Sequence, residues 1–462
     1  MNKSEYTKHA AKFAGELTFD KIPSEVVSIL KKSFMDTIGV MLAGSKSDEG
    51  RTIIKYVKAS NEPGPISVLG SGLCATIDTA ALANGTFSHA LDFDDCCDSV
   101  KGHPSVSLVP TILTLCQLAK VSGTEAITAY AAGLEVEAYL GIAIGDSCYE
   151  KGFHTTGTLG AFGAAVAAGK LLGLNVSQFQ TALGMAASMS SGLKQNFGTM
   201  TKPLHAGLAC RNGILAARLA KLGYTANKTI FEAKQSYQRA YCKENDYCFD
   251  GLGEKLGVDW NCLEPGIIHK KWACCAETHR GIEAAIALSS KIGDIDRVRH
   301  VECLVQERNI NVCIYPRPKT GLEAKFSQEY CVARALMHGE VRLEHFEDAA
   351  VNEPELLKVI DKVKMSVDPQ QQGRGDIKDE RTTIVVTLDD GSELSESVRV
   401  PLGSKERPLS DAELVGKFID CAKGVLDDRE AEKAIELCSA LERLDDLTEV
   451  TRTIVGHCSG QK

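Results

Sequence analysis

The sequence predicts a mainly α protein in which helical sequence encloses a smaller α/β insert late in the chain. Three observations carry this expectation. From the N-terminus to about residue 265, apolar residues recur at spacings of three and four. Near residue 295 the pattern changes to short β-branched, alternating runs, and after Pro401 helical patterning returns. Taken in order, Ile22-Pro23-Ser24 opens a helix that runs to Leu42, with Val26, Ile29, Leu30, Phe34, Ile38 and Leu42 on one apolar face. The same periodicity predicts helices over 78–91, 105–119, 126–144, 158–172, 177–188 and 206–222. Ala161, Gly163, Ala164, Ala165, Ala167, Ala168 and Gly169 crowd one of them. Glycine costs a helix about 1 kcal/mol relative to alanine, so its use there points to helices packed nearly backbone to backbone. In the insert, 298–305 is β-branched and alternating, a strand, and a helix follows over 327–337. Residues 365–367 and 382–388 are predicted strands, and Asp389-Asp390-Gly391 turns the chain into a fourth over 393–400. The polar, glycine-containing stretch 370–380 is expected to be a mobile loop. Ser410 with Glu413 forms a capping box where helices resume.

Length and composition narrow the function classes. The chain has 462 residues, 44% hydrophobic and 24% charged, enough for a large buried core and for two or three domains. Its net charge is −9 with no basic run, which argues against nucleic acid as a partner. An anionic substrate would therefore depend on a few local Lys, Arg and His side chains. The 17 cysteines are odd in number, scattered, and never spaced as C-x-x-C, which speaks against zinc ribbons, thioredoxin-like centres and iron–sulfur ligation. A cytoplasmic location is expected, because no disulfide framework is legible and the N-terminal stretch is polar and helix-like. The most apolar stretch, 157–174, is interrupted by Lys170 and rich in Gly and Ala, so it is read as a buried helix and not a membrane span.

The densest chemistry lies between His89 and His103. Asp92, Asp94, Asp95 and Asp98 fall between the two histidines, and Gly102-His103-Pro104-Ser105 closes the run. A bland reading stands beside the functional one: acids after a helix cap the next helix, and Pro followed by Ser is common at helix starts. Acids with histidines also raise a metal site, but no H-x-x-x-H or H-E-x-x-H accompanies them, and the expectation is no metal. His154 leads Thr155-Thr156-Gly157-Thr158 into the Gly-rich helix and is either a carboxylate contact or a buried histidine bonded to a turn. Lys202 precedes Pro203 at the start of a helix, where the dipole disfavours a cation, and that placement favours anion binding or proton transfer. Lys270, the adjacent Cys274-Cys275, His279, Tyr315, Arg317 and Lys319 are weak signals one by one, and the two cysteines are better read as buried small residues than as nucleophiles.

As an ordered set these segments resemble the MmgE/PrpD family. The matching stretches run from Ile22-Pro23 and Asp36-Thr37-Ile38-Gly39 through Leu91-Asp92-Phe93-Asp94-Asp95, Gly102-His103-Pro104-Ser105, His154 with Gly157-Thr158-Leu159-Gly160, and Lys202-Pro203-Leu204-His205, to Lys325-Phe326-Ser327. The resemblance implies a large all-helical domain formed from both chain ends, 1–268 and 404–462, with 269–403 an inserted α/β lid, and it implies a homodimer with substrate between the domains. It implies substrate-facing positions at Asp92, His103, His154, Lys202 and His279, with Tyr315 beside them. Cys96 stands where family decarboxylases carry Thr, and Trp272-Ala273 replaces a common Tyr-Pro. Both departures bear on which substrate fits.

The resemblance also implies proton movement next to a carboxylate, without metal or organic cofactor, on a small di- or tricarboxylate. A weak carbon acid needs a base of near-neutral pKa and cationic donors aimed at the developing charge. The expectation is therefore catalysis by His103, oriented by Asp92, with Lys202 and His154 on carboxylates and His279 as partner acid. Cys96, Tyr315, Arg317 and Lys270 are the expected substrate-binding residues. A lyase of the 2-methylcitrate dehydratase or cis-aconitate decarboxylase kind leads. The alternatives are an epimerase of an imino- or amino-dicarboxylate and a non-catalytic acid-binding protein.

Overall fold

The computed structural model describes residues 5–372 and 380–456, so most of the expected 370–380 loop lies outside the described residues. Contacts divide the chain into two units. One comprises Met1–Asn196, Thr201–His269 and Ser410–Lys462, and the other Phe197–Met200 with Lys270–Leu409. The molecule is mainly α.

The first unit is built on α1 (Ser24–Ser45), α2 (Ile77–His89), α3 (Ser105–Leu115), α4 (Gly123–Ile144), α5 (Gly160–Leu171), α6 (Val176–Met189) and α7 (Thr201–Lys221). A one-turn helix, Thr155–Thr158, precedes α5, so the predicted 158–172 segment is two pieces with a break at Leu159. The small residues do bring helix backbones together. A Cβ on Gly207 of α7 would lie 2.2 Å from the Leu82 carbonyl oxygen of α2, which only glycine avoids. Helix α4 is long and apolar enough to cross a bilayer, yet the unit buries it on nearly all sides. Within it, Glu135 accepts hydrogen bonds of 2.9 Å from the backbone and side chain of Asn261. Burial outweighs those bonds and pushes its pKa up to about 8. Two small antiparallel pairs interrupt the helices: β1 (Ile66–Val68) with β2 (Leu73–Ala75), and β3 (Cys96–Cys97) with β4 (Ile267–Ile268).

The second unit opens with α8 (Ala276–Ile292) and holds β5 (Val298–Val305), α9 (Gln328–His338), β6 (Val363–Val367), β7 (Thr382–Leu388) and β8 (Glu393–Val398). The sheet order is β6-β5-β7-β8. Strands β5 and β6 are parallel, and the crossover between them carries α9; the other pairings are antiparallel. Thr382, Ile384, Val386 and Leu388 alternate inward along β7. On β5 the inward set is Val301, Cys303 and Val305, with Val298 brought into line by a register shift before His300. The outer strand β8 carries Glu393 and Glu396, charges that discourage edge pairing. The chain then returns to the first unit with α10 (Asp411–Ala422), capped reciprocally by Ser410 and Glu413.

Candidate active site

Helix α2 ends at His89, and the next residues turn sharply. Asp92 adopts a φ of 52°, a left-handed conformation that Asp tolerates better than most residues. The chain runs on through Asp94 and Asp95 into β3, and the Cys97 N–H bonds back to the Gly102 carbonyl at 3.0 Å. Gly102 brings this loop against the turn before α5. A Cβ there would meet both Thr155 Oγ1 and Thr156 Oγ1 at 2.9 Å. The His103 N–H donates to Thr156 Oγ1 at 3.1 Å. This close approach sets the Gly102-His103-Pro104 and His154-Thr155-Thr156 segments side by side.

Asp94 is the hub. Its carboxylate lies 3.0 Å from His89 Nδ1 and 2.8 Å from His103 Nδ1. Burial alone would raise its pKa, but the two imidazoles prevail and hold it well below the usual range. His103 Nδ1 also lies 2.9 Å from the Asp95 carbonyl. Two acceptors on one ring nitrogen fix a proton there, so in the neutral ring the lone pair is on Nε2. That Nε2 is 3.7 Å from Asp92 Oδ1. His89 is held in the same tautomer: Nδ1 faces Asp94, and Nε2 accepts from Lys202 Nζ at 2.9 Å. Burial, with the Lys202 charge adding to it, pulls His89 down to about 3 against the pull of Asp94, so it is a neutral acceptor.

Lys202 also donates to Asp92 Oδ1 at 2.8 Å. His154 and His205 face each other with their Nδ1 atoms 3.0 Å apart, so one ring carries its proton on Nδ1 and the other on Nε2. Burial and then Lys202 lower both, His154 well below its ordinary value and His205 to about 4. The His89 and His154 rings stack at 5.6 Å. The result is one buried ammonium, two carboxylates and four imidazoles in mutual contact.

His89, Asp92, Asp94 and His103 could converge on a metal, since one ligand atom of each lies within 4.8 Å of the others. Lys202 already bonds two of the four, so its ammonium supplies the cation that this donor set calls for.

Asp95 faces away from the imidazoles. Its carboxyl bonds the Ser105 hydroxyl, which in turn bonds the Tyr130 hydroxyl, and the Ser105 N–H reaches Asp95 Oδ1 at 3.3 Å. Burial pushes the Asp95 pKa up to about 7, against the Ser105 hydrogen bonds. An unfolded-chain Asp ionises near 4. The stability that neutral Asp95 carries is therefore full below that pH and is lost as pH rises through 7. Asp95→Asn keeps the shape without the charge, so its advantage over the native chain should be about 3 kcal/mol larger at pH 8 than at pH 4. Melts of both proteins across that range check this, and a gap that does not change with pH would refute it.

Of the expected site residues, the structure gathers Asp92, His103, His154 and Lys202, and places Cys96 Sγ 3.7 Å from His103 Nδ1. The acid on His103 Nδ1 is Asp94, whereas Asp92 pairs with Lys202 and lies 3.7 Å from His103 Nε2, so both acids face the ring. His279, Lys270, Tyr315 and Arg317 lie in the second unit. His279 sits in the first turn of α8, buried edge-on against Trp272 at 5.1 Å, and its Nε2 has no hydrogen-bond partner among the described residues. Lys270 is fully buried, and the Tyr315 hydroxyl donates to the Phe197 carbonyl at 2.9 Å. Arg317 is exposed and paired with Asp361, so its guanidinium is already engaged. His89, Asp94 and His205 are the members that sequence reasoning did not select. His205 follows Lys202 by three residues on one helix, a spacing that shares a face and signalled its presence.

Family models identify the class of protein. The MmgE/PrpD N-terminal domain matches residues 8–250 and the MmgE/PrpD C-terminal domain residues 272–443. The chain belongs to the MmgE/PrpD family. It is similar to the cis-aconitate decarboxylase of Aspergillus terreus, at 27% identity over 96% of this chain and 95% of that protein. Similarity to the cis-aconitate decarboxylase of Homo sapiens is 26%, over 94% of this chain and 91% of that one. The mitochondrial 2-methylcitrate dehydratase of Yarrowia lipolytica is 24% identical over 90% of this chain and 84% of its own length.

Proposed function

We propose that the protein is a cofactor-independent lyase that moves a proton at a carbon beside a carboxylate of a small di- or tricarboxylate. Decarboxylation of cis-aconitate and dehydration of a 2-methylcitrate-like acid are the two reactions to test first. The observation that carries this reading is the setting of His103: Nδ1 lies 2.8 Å from Asp94 and 2.9 Å from the Asp95 carbonyl, an arrangement that holds a proton on Nδ1 and leaves Nε2 to exchange one. A general base must present that geometry before its pKa matters. The relatives named cis-aconitate decarboxylase and 2-methylcitrate dehydratase support the substrate class.

In a dehydration, His103 Nε2 takes the proton from carbon, and the hydroxyl leaves as water after protonation by an acid. In a decarboxylation, the bond to the departing carboxylate breaks and its electron pair passes into the conjugated acid. His103 first takes up a proton from solvent at Nε2; CO2 leaves, and the imidazolium gives that proton to carbon and returns to its neutral form. Either way negative charge builds beside Lys202, whose place between Asp92 and His89 is fixed before substrate arrives. Neutral His154 offers a hydrogen bond to a substrate carboxylate, and His279 is the proposed partner acid.

Proton NMR in D2O tests the proposal, with EDTA-treated protein and cis-aconitate, 2-methylcitrate, citrate, malate and aspartate-derived imino acids. The expected result is a new alkene signal with one acid, with deuterium in the product if CO2 is lost. Deuterium exchange with no new alkene would move the assignment to an epimerase. Turnover of nothing without added metal would overturn the cofactor-free mechanism, and silence under all conditions would leave an acid-binding protein.

A further inference from the structure

We infer that Lys417, on the returning helix α10, is a positioning residue that holds the catalytic acid loop in register; the inference rests on the site reading above. Lys417 lies 324 residues beyond Phe93 in sequence, and its Nζ donates to the Phe93 carbonyl at 2.7 Å. The same ammonium pairs with Asp36 of α1, at 2.8 Å from Oδ1 and 3.1 Å from Oδ2, and lies 3.9 Å from the centre of the Phe93 ring. Both charged side chains are buried, at 6% and 1% exposure.

Phe93 is the residue between the two acids of the site. Asp92 and Asp94 turn toward Lys202 and the imidazoles, while Phe93 turns its carbonyl and ring to the opposite side, onto Lys417. One peptide thus separates the Lys417 contact from each carboxylate. The loop has an intrinsic reason to move, because Asp92 is held in a left-handed conformation that its neighbours must enforce. A buried charge on the back of Phe93, matched by Asp36, supplies that enforcement. Its place on α1 and α10 ties the two ends of the first unit's sequence to the acid loop. A small displacement of Asp94 would release the His103 proton from its bifurcated hold and change which ring nitrogen carries it.

The test compares Asp36→Asn with the double variant Asp36→Asn/Lys417→Met. The single variant keeps Lys417 on the Phe93 carbonyl, whereas the double removes the contact without stranding a buried charge. Turnover and the His103 tautomer, read from imidazole 15N shifts, are measured on both. We expect the single variant to keep most of its rate. The double should lose about 10- to 100-fold in kcat, as expected for a small misplacement of a catalytic group, with KM little changed and the Nδ1–H population of His103 reduced. Equal losses in both variants, or a double variant with native kcat and native tautomer, would overturn the inference. Should the double fail to fold, Lys417→Arg keeps the pair with Asp36 but sets a bulkier head against Phe93. A lower kcat and altered tautomer with an unchanged melt would then support the role, and native values would overturn it. If the native chain turns over no acid in the panel, the proposed reaction falls, while the tautomer still decides what Lys417 does.

Discussion

Replacing Lys202 with methionine is expected to lower kcat by about 10²- to 10³-fold, the size of effect seen when one preorganised donor is removed from a developing negative charge. The lysine does two things that no other described residue can take over. It bonds Asp92 and His89 at once, and its charge is among the causes that keep His154 and His205 neutral. Removing it leaves Asp92 as a buried carboxylate 3.7 Å from His103 Nε2. His103 would then be drawn toward the imidazolium form and lose the lone pair that a base requires. The loss of a buried partner also carries a stability penalty of about 3–5 kcal/mol, so rate and melting temperature should fall together. Lys202→Arg keeps the charge but not the compact head that fits between Asp92 and His89, and it should recover stability more fully than rate. A steady-state assay with thermal melts decides the matter. Native kcat in Lys202→Met would remove the lysine from the mechanism.

Asp94→Asn is the second large effect, a loss of about 10²- to 10⁴-fold in kcat through general acid–base failure. An ionised carboxylate accepts from both His89 Nδ1 and His103 Nδ1, whereas an amide has one oxygen and one NH2 group. Oδ2 faces both ring nitrogens and Oδ1 faces His89 alone, so an NH2 group at either position meets at least one ring, which then moves its own proton to Nε2. If that ring is His103, the base is lost. If it is His89, that ring no longer accepts from Lys202. Both outcomes are visible in imidazole 15N spectra, which separates a tautomer change from simple unfolding. Unchanged tautomers with a large rate loss would mean that Asp94 acts on substrate directly.

Much of the fold could be read from the chain, and the misses have local causes. The predicted strands 298–305 and 382–388 coincide with β5 and β7, because alternation is unambiguous where one face is buried. Helix α7 begins at Thr201, five residues before the predicted start, since Pro203 falls in its first turn, where a missing N–H costs nothing. The pairs β1–β2 and β3–β4 escaped notice because strands of two or three residues carry no period. In the site, the His89–His103 segment and Lys202 stood out by composition. The assignment of Asp94 to His103 did not, because it depends on the reversal at Asp92, and no spacing rule reports the direction of a side chain beyond a left-handed residue. Lys202 and His89 meet across 113 residues, a contact that only packing creates.

The return of α10 to the first unit also sets a timetable. A ribosome that has just added His269 has already made all four imidazoles of the cluster, both acids and Lys202, yet the lysine at position 417 does not exist. At typical rates of synthesis it follows roughly 7–30 s later, after the whole second unit has been translated. During that interval Asp36 and the Phe93 carbonyl lack their contacts with Lys417, and the nascent helical unit gains them only when the end of the chain arrives. Chaperone dependence and sensitivity to late premature stop codons should concentrate in that window.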